Sequence, residues 1–155
     1  MSAGAQLQPT VIEAKMTNPP PINAERELAK LALAQMQDVL LARFIGREEA
    51  TRMGFPPLVL TRIATAISEM ARNVIQHSTA QGLIVFSDLS QAGRRGLKIV
   101  VQDSGSGIER LDDMLLERNQ ALGAGIPGTR RLMDEFEIES KRGAGTKVTM
   151  TKWLS

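Results

Sequence analysis

A chain of 155 residues, 43% hydrophobic and 23% charged, has the composition of one globular domain with a real core and room for a short tail. With no cysteine and a single histidine, disulfides, thiol catalysis, thiolate metal sites and His-based zinc sites are excluded. A net charge of +2, four Phe, one Trp and no Tyr argue against nucleic-acid binding, and no apolar run approaches the roughly 20 residues of a membrane span.

The N-terminus lacks the charged-then-apolar layout of an export signal, which makes the cytoplasm the expected location. Residues 1–22 mix small, polar and proline residues and close on Pro19-Pro20-Pro21, a stiff run that joins neither a helix nor a central strand. They are expected to form a flexible extension ahead of a domain spanning 23–155. From Asn23 to Met53 the chain is rich in Ala, Leu, Glu and Arg, which favours helix, with Asn23 a plausible N-cap and Gly46 a weak point. Residues 28–36 also alternate as a short strand would, and local sequence leaves the two readings open. After the break at Gly54-Phe55-Pro56-Pro57, Ile63, Ile67, Met70 and Val74 mark one buried face of a helix from Leu58 to about His77.

Two strands are expected next, Leu83–Phe86 and Leu97–Val101, joined as a hairpin through a polar loop from Gln91 to Gly96. The second runs into Asp103-Ser-Gly105-Ser-Gly107. A short helix from Leu111 to Glu117 follows. Then Gly123-Ala-Gly125-Ile-Pro-Gly128 opens a helix expected to run to about Phe136, with Pro127 suited to its first turn. A second hairpin closes the chain, Glu137–Lys141 and Thr146–Trp153 around the turn Arg142–Gly145. Helix, hairpin, helix, hairpin predicts an α+β fold, a two-layer sandwich in which helices cover one face of an antiparallel sheet.

Three features carry chemistry. Taking Ile63 as zero, helical spacing puts Glu69 at about −120° and Asn73 at about −80°, one turn apart at the flank of the apolar stripe. There an amide oxygen suits Mg²⁺, and a carboxylate can orient or deprotonate a nucleophile; alternatively Glu69 pairs with a neighbouring arginine. His77, one turn on, suits the helix C-terminus. Asp103 at a strand end can accept a hydrogen bond from a ligand amino group, with Gly105 and Gly107 giving close backbone approach. Gly123, Gly125 and Gly128 at a helix start suit an anion, although no Walker A Gly-Lys-Ser/Thr follows.

In this order the features resemble the boxes of the GHKL ATPase fold, shared by histidine-kinase catalytic domains, gyrase-type ATPases and anti-sigma-factor kinases. Glu69…Asn73 resembles the N box, Asp103-x-Gly105-x-Gly107 the G1 box and Gly123-x-Gly125 the G2 box, with Gly145-Thr146 near the last strand. The runs from Thr65 to Asn73, Pro127 to Ile138 and Gly145 to Leu154 look most like the RsbT-type switch kinases of bacterial stress signalling. The similarity covers roughly residues 38–154. Two stretches depart from the subgroup: the chain is a few residues shorter between Ile108 and Gly123, and the extension through Pro21 has no counterpart.

The resemblance implies a serine/threonine protein kinase using ATP and Mg²⁺. Glu69 would be the general base for a protein hydroxyl and Asn73 the Mg²⁺ ligand. Asp103 would bind the adenine amino group in a pocket shaped by Gly105 and Gly107, with Thr146 close to the base. Gly123, Gly125 and Gly128 would cradle phosphates. The implied acceptor is a Ser or Thr of a STAS-domain protein in a stressosome-like assembly, and the implied further partner is a PP2C-type phosphatase or a sigma factor, with the chain a monomer or homodimer. The resemblance also implies a strand near residues 28–36. The alternative is a catalytically weak module of the same fold, anti-sigma-factor-like, that acts by docking.

Overall fold

The computed structural model describes residues 23–77, 81–104, 125–141 and 143–154. A strand β1 (Asn23–Leu33) leads to helices α1 (Gln37–Met53) and α2 (Pro57–His77). The hairpin β2 (Gly82–Gln91) and β3 (Arg94–Asp103) follows, then helix α3 (Gly125–Leu132) and the hairpin β4 (Glu135–Lys141) and β5 (Gly145–Trp153). The strands make one antiparallel sheet in the order β1-β2-β3-β5-β4, and the helices pack on one of its faces. This is the α+β sandwich expected from the sequence.

The core lies between the inner sheet face and α2. Ile63, Ile67, Met70 and Val74 are all buried, as their spacing predicts. They meet Ile84, Phe86, Leu97, Ile99 and Val101 from the central strands and Val148 and Met150 from β5. Full burial of side chains this size contributes about 1.5–3 kcal/mol each before the opposing loss of chain entropy.

Four sequence expectations change. Asn23 opens a strand and caps no helix, and residues 23–33 are strand throughout. Pairing with β2 overrides the helix propensity of the Ala, Leu, Glu and Arg residues there. Helix begins only at Gln37, where the Asp38 carboxylate accepts the backbone N–H groups of Ala34 (2.8 Å) and Gln35 (3.0 Å). Gly46 is not a weak point: it lies mid-helix and buried. A Cβ at Gly46 would collide with Ile67 and come within 2.8 Å of the Phe86 ring, so glycine is what lets α1 approach α2 and the sheet.

The first hairpin is tighter than its polar loop suggests. Gln91 pairs with Arg94, leaving a turn of only Ala92 and Gly93, with φ of 53° and 81°. Positive φ at both central residues matches the twist of the flanking strands, so polar residues that read as loop are strand instead. The third helix stops at Leu132, and Phe136 belongs to β4, where Phe136, Ile138 and Ser140 alternate with exposed Glu135, Glu137 and Glu139. The expected helix from Leu111 to Glu117 lies outside the described residues, as does the extension 1–22.

Candidate functional site

Cross-strand pairing builds the centre of the site. Leu33 pairs with Gly82, Gly82 with Asp103, Asp103 with Thr146, and Thr146 with Ser140, so one row crosses all five strands. Side chains two residues apart share a face, which puts this row on the same face as buried Ile84, Val101 and Val148. The row is thus the polar end of the core face, and beyond it opens a cavity of about 910 Å³ lined by Asp103, Thr146, Ser140, Gly82 and Gly145 among others. That volume lies within the range of small-molecule sites.

Two glycines shape this end of the sheet. Gly145 has φ of +88°, and a Cβ there would run into the Asp103 carbonyl and within 2.9 Å of Ser104 Cα. A Cβ at Gly82 would strike Val74 of α2 and come within 3.0 Å of the Gln102 carbonyl. Both keep backbone tight around Asp103, half-buried at the row's centre. The Ser140 and Thr146 hydroxyls lie 2.9 Å apart, a hydrogen bond across the second hairpin.

Glu69 and Asn73 lie on α2, both half-buried at the flank of its apolar stripe as helical spacing predicts. The Glu69 carboxylate lies 3.4 Å from the Arg72 guanidinium, so the arginine pairing weighed as an alternative is present. Neither Glu69 nor Asn73 lines the cavity beside Asp103. Gly125 opens α3 with φ of 56°, and its carbonyl accepts a 2.8 Å hydrogen bond from the fully buried Thr129 hydroxyl. Gly128 is buried with Ile126 and Pro127 where α3 packs against α2. Gly105, Gly107 and Gly123 lie outside the described residues.

The structure therefore brings Asp103 and Thr146 together and joins α3, with its Gly125 and Gly128, to the helix that carries Glu69 and Asn73. Sequence reasoning missed Ser140, Gly82 and Arg72. Ser140 was within reach: closing the second hairpin around the turn 142–145 places it opposite Thr146, on the face of Phe136 and Ile138. No helix among the described residues is long and apolar enough to cross a membrane.

The class that this arrangement defines is a two-layer α+β sandwich whose antiparallel sheet carries an Asp–Thr pair at the end of its core face, with a Glu–Asn pair on one helix and Gly125 opening another. Residues 31–152 match the histidine kinase-like ATPase domain family, and the chain belongs to that family. It is 40% identical over 120 residues to the serine/threonine-protein kinase RsbT of Bacillus subtilis, spanning 76% of this chain and 90% of that one. It is 31% identical over 146 residues to the anti-sigma F factor of Bacillus cereus, spanning 84% and 93%. The solved RsbU and RsbW domains of Rv1364c from Mycobacterium tuberculosis share the fold, with a TM-score of 0.57 at 19% identity; the match covers 83% of this chain and 34% of that one.

Proposed function

We propose that this protein is a Mg²⁺-ATP-dependent serine/threonine protein kinase of a bacterial partner-switching module, acting on a STAS-domain protein in the cytoplasm. The observation that carries the reading is the Asp103–Thr146 pair at the mouth of a ligand-sized cavity, closed around by Gly82 and Gly145. A carboxylate and a hydroxyl side by side suit a base bearing an amino group, and the 40% identity to a named serine/threonine kinase points to protein hydroxyls as acceptors.

In this reading Asp103 accepts from the adenine amino group and Thr146 lies against the ring. The start of α3 at Gly125 offers backbone N–H groups to phosphate oxygens, and the resemblance assigns Gly123 and Gly128 to the same role. Glu69 takes the proton of the acceptor serine or threonine as its oxygen bonds to the γ-phosphorus and ADP leaves. Arg72 holds the Glu69 carboxylate in place meanwhile. Asn73, half-buried one turn from Glu69, fits Mg²⁺, which takes few protein ligands when phosphates and waters supply the rest. Bound there, the cation would neutralise charge on the transferred phosphoryl group. The resemblance assigns Gly105 and Gly107 to the base pocket as well.

The apolar outer face of α1, with Leu40 68% and Phe44 63% exposed, supports a protein that docks on others. A PP2C-type phosphatase or a sigma factor is the proposed further partner, met by a monomer or homodimer. That face also favours a second reading, a docking module of the same fold with weak catalysis. Glu69→Ala separates the two. Phosphate transfer from labelled ATP to a STAS-domain acceptor is expected to fall at least about 100-fold, with the calorimetric affinity for Mg·ATP nearly unchanged. Transfer retained in that variant would remove Glu69 from the mechanism. Signalling output that survives both Glu69→Ala and Asn73→Ala would favour the docking module.

A further inference from the structure

We propose that Ser140 is a positioning residue for base selection: its hydroxyl orients that of Thr146, so that Thr146 and Asp103 together accept a 6-amino purine and reject a 6-oxo purine. The proposal rests on the nucleotide-site reading above. Its own observation is the hydrogen bond between Ser140 Oγ and Thr146 Oγ1 at 2.9 Å, both side chains half-buried and both lining the cavity beside Asp103.

A hydroxyl has one proton to give and two lone pairs with which to accept. Asp103, as a carboxylate, only accepts. Either hydroxyl can be the donor of this bond, and we assign the proton to Ser140: one Thr146 lone pair is then committed along the row, and the Thr146 proton is left to point toward the cavity. The cavity then presents an acceptor from Asp103 beside a donor from Thr146. A 6-amino purine offers the matching pair, an exocyclic donor beside an unprotonated ring nitrogen. A 6-oxo purine offers the reverse, an exocyclic acceptor beside a ring N–H, and leaves both protein groups facing their own kind. A site that fixes its hydrogen-bond pattern rejects the mismatched analogue because buried polar groups are left unpaired.

Ser140 belongs to this device because of its register. The Ser140–Thr146 and Thr146–Asp103 pairs are successive steps of one row, so Ser140 lies one strand beyond the residue that meets the base. Without the Ser140 hydroxyl, that of Thr146 is released to turn and serve either purine.

The test is calorimetric titration of Mg·ATP and Mg·ITP into the full chain, its Ser140→Ala and Ser140→Thr variants and Asp103→Asn. Ser140→Ala is expected to weaken ATP by about 3–10-fold, the loss of one hydrogen bond's worth of binding. ITP is expected to hold or improve, so the preference for ATP narrows. Ser140→Thr, which keeps a hydroxyl, should restore most of that preference. In transfer assays KM for ATP should rise in Ser140→Ala while kcat at saturating ATP holds. Equal weakening of both nucleotides, or an unchanged ratio in a variant with native thermal stability, would assign Ser140 a purely structural role and overturn the proposal. Wild-type protein that binds neither nucleotide, or whose ATP affinity survives Asp103→Asn, would overturn the site reading itself.

Discussion

Helices α1 and α2 lie side by side over the same sheet and solve burial in opposite ways. From Leu60 onward α2 turns its large apolar side chains inward, with Ile63, Ile67 and Met70 essentially without exposure and Leu58 in its first turn left out. In α1 the buried positions include Ala42, Gly46 and Ala50, while Met36 just ahead of the helix and Leu40, Leu41 and Phe44 within it face outward. Small residues let the α1 backbone sit close to Ile67 and Phe86, so α1 is anchored by proximity and α2 by volume. The difference teaches that an apolar residue on a helix need not mark the face that holds the fold.

The sharpest way to break this comparison is to remove volume from α2. Ile67→Ala should cost about 2–5 kcal/mol, because it deletes a fully buried side chain and leaves a cavity against Gly46 and the sheet; urea unfolding measures it, and a loss below 1 kcal/mol would show that α1 can collapse into the gap. Adding a single methyl to α1 tests the other half. Gly46→Ala should destabilise by about 1–3 kcal/mol through overpacking, although alanine is the better helix former by about 1 kcal/mol. A stabilised Gly46→Ala would mean that α1 can shift away from Ile67 and Phe86 at little cost.

A smaller effect belongs to the sheet. Asp88 is held below its ordinary value of 3.8 chiefly by its hydrogen bonds to Arg95, with Arg26 adding to the attraction. A lowered folded-state value means that the contribution is present above the ordinary carboxylate range and is lost as pH falls through the lowered value. Asp88→Asn should therefore cost at most about 1 kcal/mol near neutral pH, since Arg26 and Arg95 are largely solvated. The gap to wild type should close in strong acid, and a gap that persists there would point to packing instead of charge. The least effect is expected on the outside of α1: Leu40→Lys with Phe44→Lys should change stability by no more than about 0.5 kcal/mol. A larger loss in thermal melts would place those side chains in the fold.

How far the fold can be read from the chain follows the same division. The α2 stripe and the second hairpin were legible, because each hides large residues at the period of its own backbone. Strand β1 was so only in part: residues 28–36 alternate as a strand would, but helix-favouring residues leave the helix reading open, and a register shift between Glu27 and Ala29 breaks the alternation ahead of them. The tight first turn was hidden, since Ala92 supplies a positive φ without the Asn or Asp that usually signals one. Of the candidate site residues, Glu69 and Asn73 were legible together because one helix carries both. Asp103 and Thr146 were legible only one at a time.

The sequence by itself determined the sandwich, the flank of α2 on which Glu69 and Asn73 sit, and the residue types able to meet a nucleotide. These depend on periodicity and on side-chain chemistry, which travel with the local chain. Only the tertiary structure decided that β5 inserts between β3 and β4, and with it that Asp103, Thr146 and Ser140 share one row. Residues 103 and 146 are joined by no local pattern. What places them side by side is hydrogen bonding between strands distant in the chain, on a sheet held against α2 by a shared apolar core.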